Sequence, residues 1–412
     1  MSGAISDLSA RMILDSRGNP TVEVDCFVGG ALCGRASVPS GASTGSYEAV
    51  ELRDGGKEWS GKGVQSAISH VNGEIRKSLI GLNVSEQQTI DSTLIELDGT
   101  ENKSRLGANA MLGASLACLR AASSESLWKS LGPEKPTLPV PLMNILNGGA
   151  HASSNVDVQE FMIVPHGFKT FPDALRAGTE IYHCLKSVLN DEGLLGGVGD
   201  EGGFAPDLDR NEDGLEYIVK AITKAGYSPG DQVSLALDVA AQEFMKNDGY
   251  HIDGRVVSGS DLGSIYSKWT DSYPIVSIED PFGEDDWDSW VEFTAREGHR
   301  LQVVGDDLYV TNPKRLVRGI SDGASNAILI KLNQIGTVTE TKEVIGIAKE
   351  AGLSTIISHR SGETSDDIIA DFSVGMGAGQ IKTGAPARSD RTSKYNQLLR
   401  ISEEVQDYYS LF

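Results

Sequence analysis

Five short apolar runs between Ser234 and Arg360 each end in an ionisable residue. They are VSLALD at Asp238, PIVSIE at Glu279, LQVVGD at Asp306, AILIK at Lys331 and STIISH at His359. The end residues follow one another at intervals of 41, 27, 25 and 28, which is the length of one strand, one helix and two connecting loops. Runs that are apolar throughout, rather than alternating, suit strands buried on both faces by a layer of helices. The fold class this implies is α/β, a (β/α)8-type barrel, whose functional groups collect at the C-terminal ends of the strands. A chain of 412 residues has room for a barrel of ~250 residues and a second domain of ~130.

The second domain is expected first in the chain. Residues 4 to 38 read as a three-strand meander with turns at Gly18-Asn19-Pro20 and Gly29-Gly30. Three segments with apolar residues at three- and four-residue spacing follow, ending in the Ala-rich LGANAMLGASLACLRAASSESLWKSL. Strands followed by helices make an α+β domain, and the Pro-rich GPEKPTLPVP marks its end. The expected division is an α+β domain over 1–134, carrying a mobile loop at 40–45, and a barrel over 135–412. The runs LMNILNGG and QEFMIVP come close together without an evident helix between them, so the barrel is expected to begin irregularly.

Lys and Arg number 36 against 58 Asp and Glu, a net charge of −22. That balance disfavours a broad surface for phosphate backbones, and nucleic acid is not expected as substrate. The four cysteines, Cys26, Cys33, Cys118 and Cys184, show no CxxC spacing and read as reduced thiols of a cytoplasmic protein. No basic start leads into an apolar stretch and no run approaches ~20 apolar residues, so neither secretion nor membrane insertion is expected.

Asp238, Glu279 and Asp306, on successive strand ends, suit Mg2+, which takes oxygen ligands and leaves positions for water or substrate. Lys331 ends the apolar run AILIK, and Lys382 lies in GQIKTGAPARS, where spacing alone says less. For Lys331 to act as a base near neutrality, its pKa of ~10.4 must fall by roughly three units, a shift that adjacent cations supply better than burial alone. Glu201 sits among six glycines between 193 and 203; flanking glycines allow φ > 0 and close approach, although the loop taken alone reads sooner as a flexible surface turn. Gly197, Gly199 and Gly202 also match G-x-G-x-x-G, but no apolar strand precedes them and Asp200 with Glu201 would repel a pyrophosphate. Asp209, Asn211, Asp213 and Gly214 copy a calcium loop whose twelfth position is Lys220 where Glu is required. The loop Pro39 to Gly45 is either a lid, with Ser43 reaching a metal, or a linker. His359, Arg360 and Ser361 form a candidate phosphate clamp, and His151, Gln159 and Glu160 lie on another part of the rim.

With these residues in place, the chain resembles the enolase family over nearly its whole length. The resemblance runs from DSRGNPTVEV near 15 to NQLLRI near 401, through SGASTG, LNGGAH, GDEGG, SIEDP, GDD, LIKLNQIGT, SHRSGE and QIKTGAPARS. It implies reversible Mg2+-dependent dehydration of 2-phosphoglycerate to phosphoenolpyruvate, a glycolytic carbon–oxygen lyase reaction. It implies Asp238, Glu279 and Asp306 as ligands of one Mg2+ and Ser43 as ligand of a second that arrives with substrate. Lys331 is the implied base at C2 and Glu201 the implied acid at the C3 hydroxyl. His151, Gln159, Glu160, His359, Arg360, Ser361 and Lys382 are implied to surround the substrate. A cytoplasmic homodimer or higher homo-oligomer is also implied.

Overall fold

A computed structural model describes residues 3–42, 45–132, 135–149, 156–409 and 412. Ser43 and His151 lie outside the described residues.

The chain opens with the antiparallel meander β1 (Ile5–Leu14), β2 (Pro20–Val28) and β3 (Ala31–Ser37). The β2–β3 connection is the pair Gly29 and Gly30, at φ 58° and 81°, the left-handed geometry that a two-residue hairpin with the right twist demands. Helices α1 (Gln87–Asp98) and α2 (Ala108–Ala122) follow. In α2, 13 of the 15 residues are buried, as expected of a helix apolar on every side. It lies close on the sheet because small residues face it: a Cβ on Gly34 would come 2.1 Å from the Ala117 carbonyl oxygen, and one on Gly113 would come 2.6 Å from Val24.

Eight strands then close into a barrel: β4 (Val140–Asn147), β5 (Glu160–Val164), β6 (Ser234–Asp238), β7 (Ile275–Glu279), β8 (Gln302–Gly305), β9 (Ala327–Ile330), β10 (Ser354–Ser358) and β11 (Gly379–Lys382). Pairing runs in that order and returns from β11 to β4. The expected irregular start is β5, which pairs antiparallel with both β4 and β6, while the remaining neighbours are parallel. Two helices, α3 (Phe171–Asp191) and α4 (Asn211–Lys224), separate β5 from β6. One long helix follows each later strand: α5 (Gly259–Ser272), α6 (Trp287–Glu297), α7 (Pro313–Asp322), α8 (Val338–Glu350), α9 (Ile368–Gly375) and α10 (Ser389–Ile401), with the short helical turn Leu332–Ile335 ahead of α8. The residues that imitated a calcium loop begin α4, where the Arg210 N–H donates to the Asp213 carboxylate at 3.1 Å.

Inside the barrel, Val140, Leu142, Met162, Val164, Ala236, Val304, Ala327, Leu329 and Ile356 form one apolar cluster. A buried polar group joins it, with Gln302 donating to Ser277 at 2.9 Å and receiving a hydrogen bond from Gln380 at 2.8 Å. The interior is therefore packed. The first domain is tied to the barrel by Asp91 of α1, which accepts from Ser115 in α2 at 2.6 Å and from the Thr339 N–H at the start of α8 at 2.8 Å.

Candidate active site

Because β5 runs backwards, its first residue, Glu160, stands on the rim where the parallel strands end. Register pairs Glu160 with Asp238 and Asp238 with Glu279, so three carboxylates form one row. Lys382, the last residue of β11, reaches all of them: its Nζ is 2.7 Å from Asp238 Oδ2, 2.9 and 3.0 Å from the two Glu279 oxygens, and 3.3 Å from Glu160 Oε1. All four side chains are buried.

Asp306 and Lys331 follow directly on β8 and β9, and the Lys331 ammonium donates to Asp306 Oδ2. The other Asp306 oxygen accepts from Gln334 at 2.9 Å. Asp280, at φ 42°, uses its carboxylate to accept the N–H groups of Asp306 and Asp307 at 2.9 and 2.8 Å. Carboxylate oxygens of Asp280, Asp306 and Asp307 all lie within 4.8 Å of one another.

Glu201 enters from the glycine-rich loop, and the two glycines after it have separate reasons to be there. Gly202 is at φ 91°, and a Cβ on Gly203 would fall 2.3 Å from Asn147 Oδ1. Asn144 of β4 donates to Glu201 Oε2 at 3.2 Å, Ser361 donates to Oε1 at 3.3 Å, and His359 Nε2 lies 3.3 Å from Oε2. The Glu201 backbone oxygen accepts from the Ala385 N–H at 2.9 Å. Arg360 holds Glu48 at 2.9 Å and Asn333 at 3.0 Å. On the described flank of the 40–45 loop, Ser40 and Gly362 exchange backbone hydrogen bonds at 2.7 and 2.8 Å, joining that loop's base to the His359–Ser361 segment.

These groups surround one small cavity of about 20 Å³. Ten expected residues line it: Gln159, Glu160, Glu201, Asp238, Asp306, Lys331, His359, Arg360, Ser361 and Lys382. Glu279 joins through its bonds to Lys382. Ala240, Asp280, Asp307 and Ser358 also line it and were not anticipated. Asp280 and Asp307 neighbour the chosen Glu279 and Asp306 in SIEDP and GDD, so a run of adjacent acids was the available signal. Asn144, Glu48 and Gln334 carried none, being polar residues that neither end an apolar run nor stand in an acidic pair.

Burial and crowding of like charges dominate the electrostatics. Burial, then the Asp238 charge, drives Glu279 well above the carboxylate range despite Lys382. Burial and the Glu201 charge do the same to Glu160, and burial with Asp307 beside it raises Asp280. Asp307 is pushed up to about 8 by burial and the Asp306 charge. For Asp306 burial acts upwards too and is the largest influence, but the Lys331 charge and hydrogen bond, with the charges of Lys382 and Arg360, together outweigh it and the pKa is lowered. Burial opposes the charge on both lysines, yet the carboxylates prevail: Asp306 above all for Lys331, and Asp238, Glu160 and Glu279 for Lys382. Both are ammonium groups. The lowered pKa required of a base at Lys331 is therefore absent from the protein alone, because the group nearest to it is an anion rather than a cation. His359 is held down to about 3 by burial and is neutral.

The donor set suits a hard dication. Glu160, Asp238, Glu279, Asp280, Asp306 and Asp307 offer oxygen ligands only, the preference of Mg2+ over softer metals. Among the described residues at the site, these six carboxyl groups and that of Glu201 outnumber the cations Lys331, Lys382 and Arg360, and the buried Glu160 Oε2 has no hydrogen-bond partner. Added positive charge would relieve the crowding that raises Glu279 and Glu160.

Residues 135–410 match the family model described as Enolase, C-terminal TIM barrel domain, and residues 5–129 match Enolase, N-terminal domain. A curated protein named Enolase from Acidothermus cellulolyticus is 56% identical over 407 residues, covering 98% of this chain and 95% of that protein.

Proposed function

Because the chain belongs to the enolase family of phosphopyruvate hydratases, which are lyases, we propose that it carries out the reversible Mg2+-dependent dehydration of 2-phosphoglycerate to phosphoenolpyruvate in glycolysis. Asp238, Glu279 and Asp306 would hold one Mg2+, and Ser43, assigned from sequence, a second arriving with substrate; the ions would supply positive charge against the carboxylate that becomes doubly anionic when C2 loses its proton.

Lys331 takes the C2 proton. Asp306 now holds its ammonium, and a cation bound to Asp306 in its place would favour the free amine. Lys382 keeps its proton, since three carboxylates stabilise its charge, and it stands as a fixed cation where negative charge develops. Glu201 protonates the departing C3 hydroxyl, with Asn144 and Ser361 fixing its carboxyl group. Glu160, whose pKa burial and then the nearby Glu201 charge raise well above the carboxylate range, lies beside that acid and 3.3 Å from Lys382 Nζ. Arg360, Ser361 and His359 bind the phosphate end, while Gln159 and His151 complete the surround. Lys331 and Glu201 act from opposite faces of the substrate.

The observation that carries this reading is that Lys331, Lys382 and Glu201 line one cavity with three different sets of partners, so that one can lose a proton, one keep it and one deliver it. In the test, purified protein with 2-phosphoglycerate and Mg2+ is followed by the ultraviolet absorbance of phosphoenolpyruvate. Absorbance should rise, stop on chelation and resume with added Mg2+. Folded, Mg2+-replete protein that forms no phosphoenolpyruvate would overturn the proposal.

We extend the proposal to a cytoplasmic homodimer. The described cysteines are all unpaired, and among the described residues no helix is long and apolar enough to cross a membrane. Sedimentation equilibrium tests the assembly, with a concentration-independent monomer as the adverse outcome.

A further inference from the structure

Arg391 is an unusual cation: its side chain is fully buried in the first turn of α10, where the helix dipole disfavours positive charge. Its contacts account for the placement, beginning with the Asp390 carboxylate 2.8 Å from its Nε. Its Nη1 donates to His359 Nδ1 and, at 2.6 Å, to the Arg360 carbonyl oxygen. Its Nη2 donates to the Ser361 carbonyl oxygen at 2.6 Å and to that of Asp200 at 3.2 Å. One guanidinium thus joins the loop that carries Glu201 to the segment that carries His359, Arg360 and Ser361.

A guanidinium has only N–H groups and does not lose its proton, so an imidazole nitrogen facing it must be the acceptor. His359 is buried and neutral, and a neutral imidazole carries one N–H. That hydrogen is left to Nε2, which lies 3.3 Å from Glu201 Oε2 and has no other hydrogen-bond partner among the described residues.

We propose that Arg391 is a positioning residue that fixes His359 as the Nε2–H tautomer, so that the imidazole presents an N–H rather than a lone pair to Glu201. The inference rests on the reading of Glu201 as the acid. In that step the Glu201 proton bonds to the C3 oxygen and the C3–O bond breaks. The electron pair left at C2 closes the C2–C3 double bond, and water departs. The carboxylate that remains on Glu201 then has the His359 N–H close by, 3.3 Å from Oε2 and free to turn onto it, beside the donors Asn144 and Ser361. The other tautomer would turn a lone pair towards the new charge and make proton donation costlier.

The test uses the full chain with 15N-labelled histidine, and His359→Gln identifies the His359 signals. Wild-type protein should show His359 with Nδ1 bare and Nε2 protonated. Arg391→Met should gain the Nδ1–H form and lose roughly tenfold or more in kcat with little change in KM, the usual cost of removing an orienting partner. Arg391→Lys, which keeps a donor, should retain the Nε2–H form and recover part of kcat. In the double variant Arg391→Met/His359→Gln, kcat should be no lower than in His359→Gln alone, because both changes remove one function. An Nδ1–H signal in the wild type, or additive losses in the double variant, would overturn the inference. Should Arg391→Met not fold, the wild-type and Arg391→Lys spectra still decide it. The tautomer is read without turnover, so a failure of the enolase reading remains distinguishable.

Discussion

The ammonium nitrogen of Lys382 stands 2.7 Å from Oδ2 of Asp238, 144 residues earlier in the chain, and the same atom bonds both oxygens of Glu279. Lys382 is therefore the counter-ion of the carboxylates expected to bind metal, and it competes with a cation for them. Removing one partner of a buried ion pair costs about 3–5 kcal/mol. Lys382→Ala should lower Tm accordingly in chelator and abolish turnover. Added Mg2+ should then raise its Tm by more than it raises that of the wild type, since ligand binding stabilises the state that binds it. Thermal scans with and without Mg2+ decide the matter, and equal shifts in the two proteins would count against the competition.

Asp371, away from the cavity, gives a pH prediction. Burial, with Asp367 nearby, pushes it up to about 6. Its carboxyl group accepts from the Trp128 N–H at 3.3 Å and from Gln397 at 2.9 Å. A carboxyl group whose folded pKa lies above the unfolded ~3.9 adds stability that is fully present below the unfolded value and is lost as pH rises through the folded one. The loss is up to about 3 kcal/mol between pH ~4 and ~7. Asp371→Asn keeps an acceptor for Trp128, and the Gln397 amide can turn to match it. The variant should be more stable than wild type at pH 8 and similar to it at pH 4. Denaturant unfolding at the two values checks this; a difference independent of pH would contradict it.

Gly203 separates close approach from mere flexibility in the acid loop. Its Cβ would meet Asn147 Oδ1 at 2.3 Å and the Leu146 backbone nitrogen at 3.1 Å, whereas a Cβ on Gly197 would meet nothing within 4 Å. Gly203→Ala should push the Glu201 segment off β4, lowering kcat and costing about 1–3 kcal/mol as overpacking does. Gly197→Ala should leave kcat unchanged and stability within about 0.5 kcal/mol. Equal behaviour of the two variants would show that the loop tolerates displacement.

The barrel was legible because its strands are buried on both faces and end in chemistry-bearing residues, a pattern that Asp238, Glu279 and Lys382 satisfy as the last residues of their strands. Glu160 was legible as a rim residue, but not the reason: it begins a strand rather than ending one, and β5 must run backwards to bring it there. Sequence showed that reversal only as a missing helix. Asp280 and Asp307 escaped because each follows an acid already chosen. Arg391 escaped because its role depends on contacts with residues 30 to 32 positions earlier and with the glycine-rich loop. The charge state of Lys331 depends on which ion stands beside Asp306, and a string of residue types does not carry that.

Exchange of the C2 hydrogen of 2-phosphoglycerate with deuterated solvent, followed by NMR alongside phosphoenolpyruvate formation, tests most directly the division of labour between Lys331 and Glu201. With Mg2+, the wild type should exchange and form product. Glu201→Gln should still exchange while product formation falls roughly 10²- to 10⁴-fold, the usual worth of a positioned acid, and Lys331→Ala should do neither. A folded, Mg2+-replete Lys331→Ala protein that exchanges the C2 hydrogen at the wild-type rate would contradict the account.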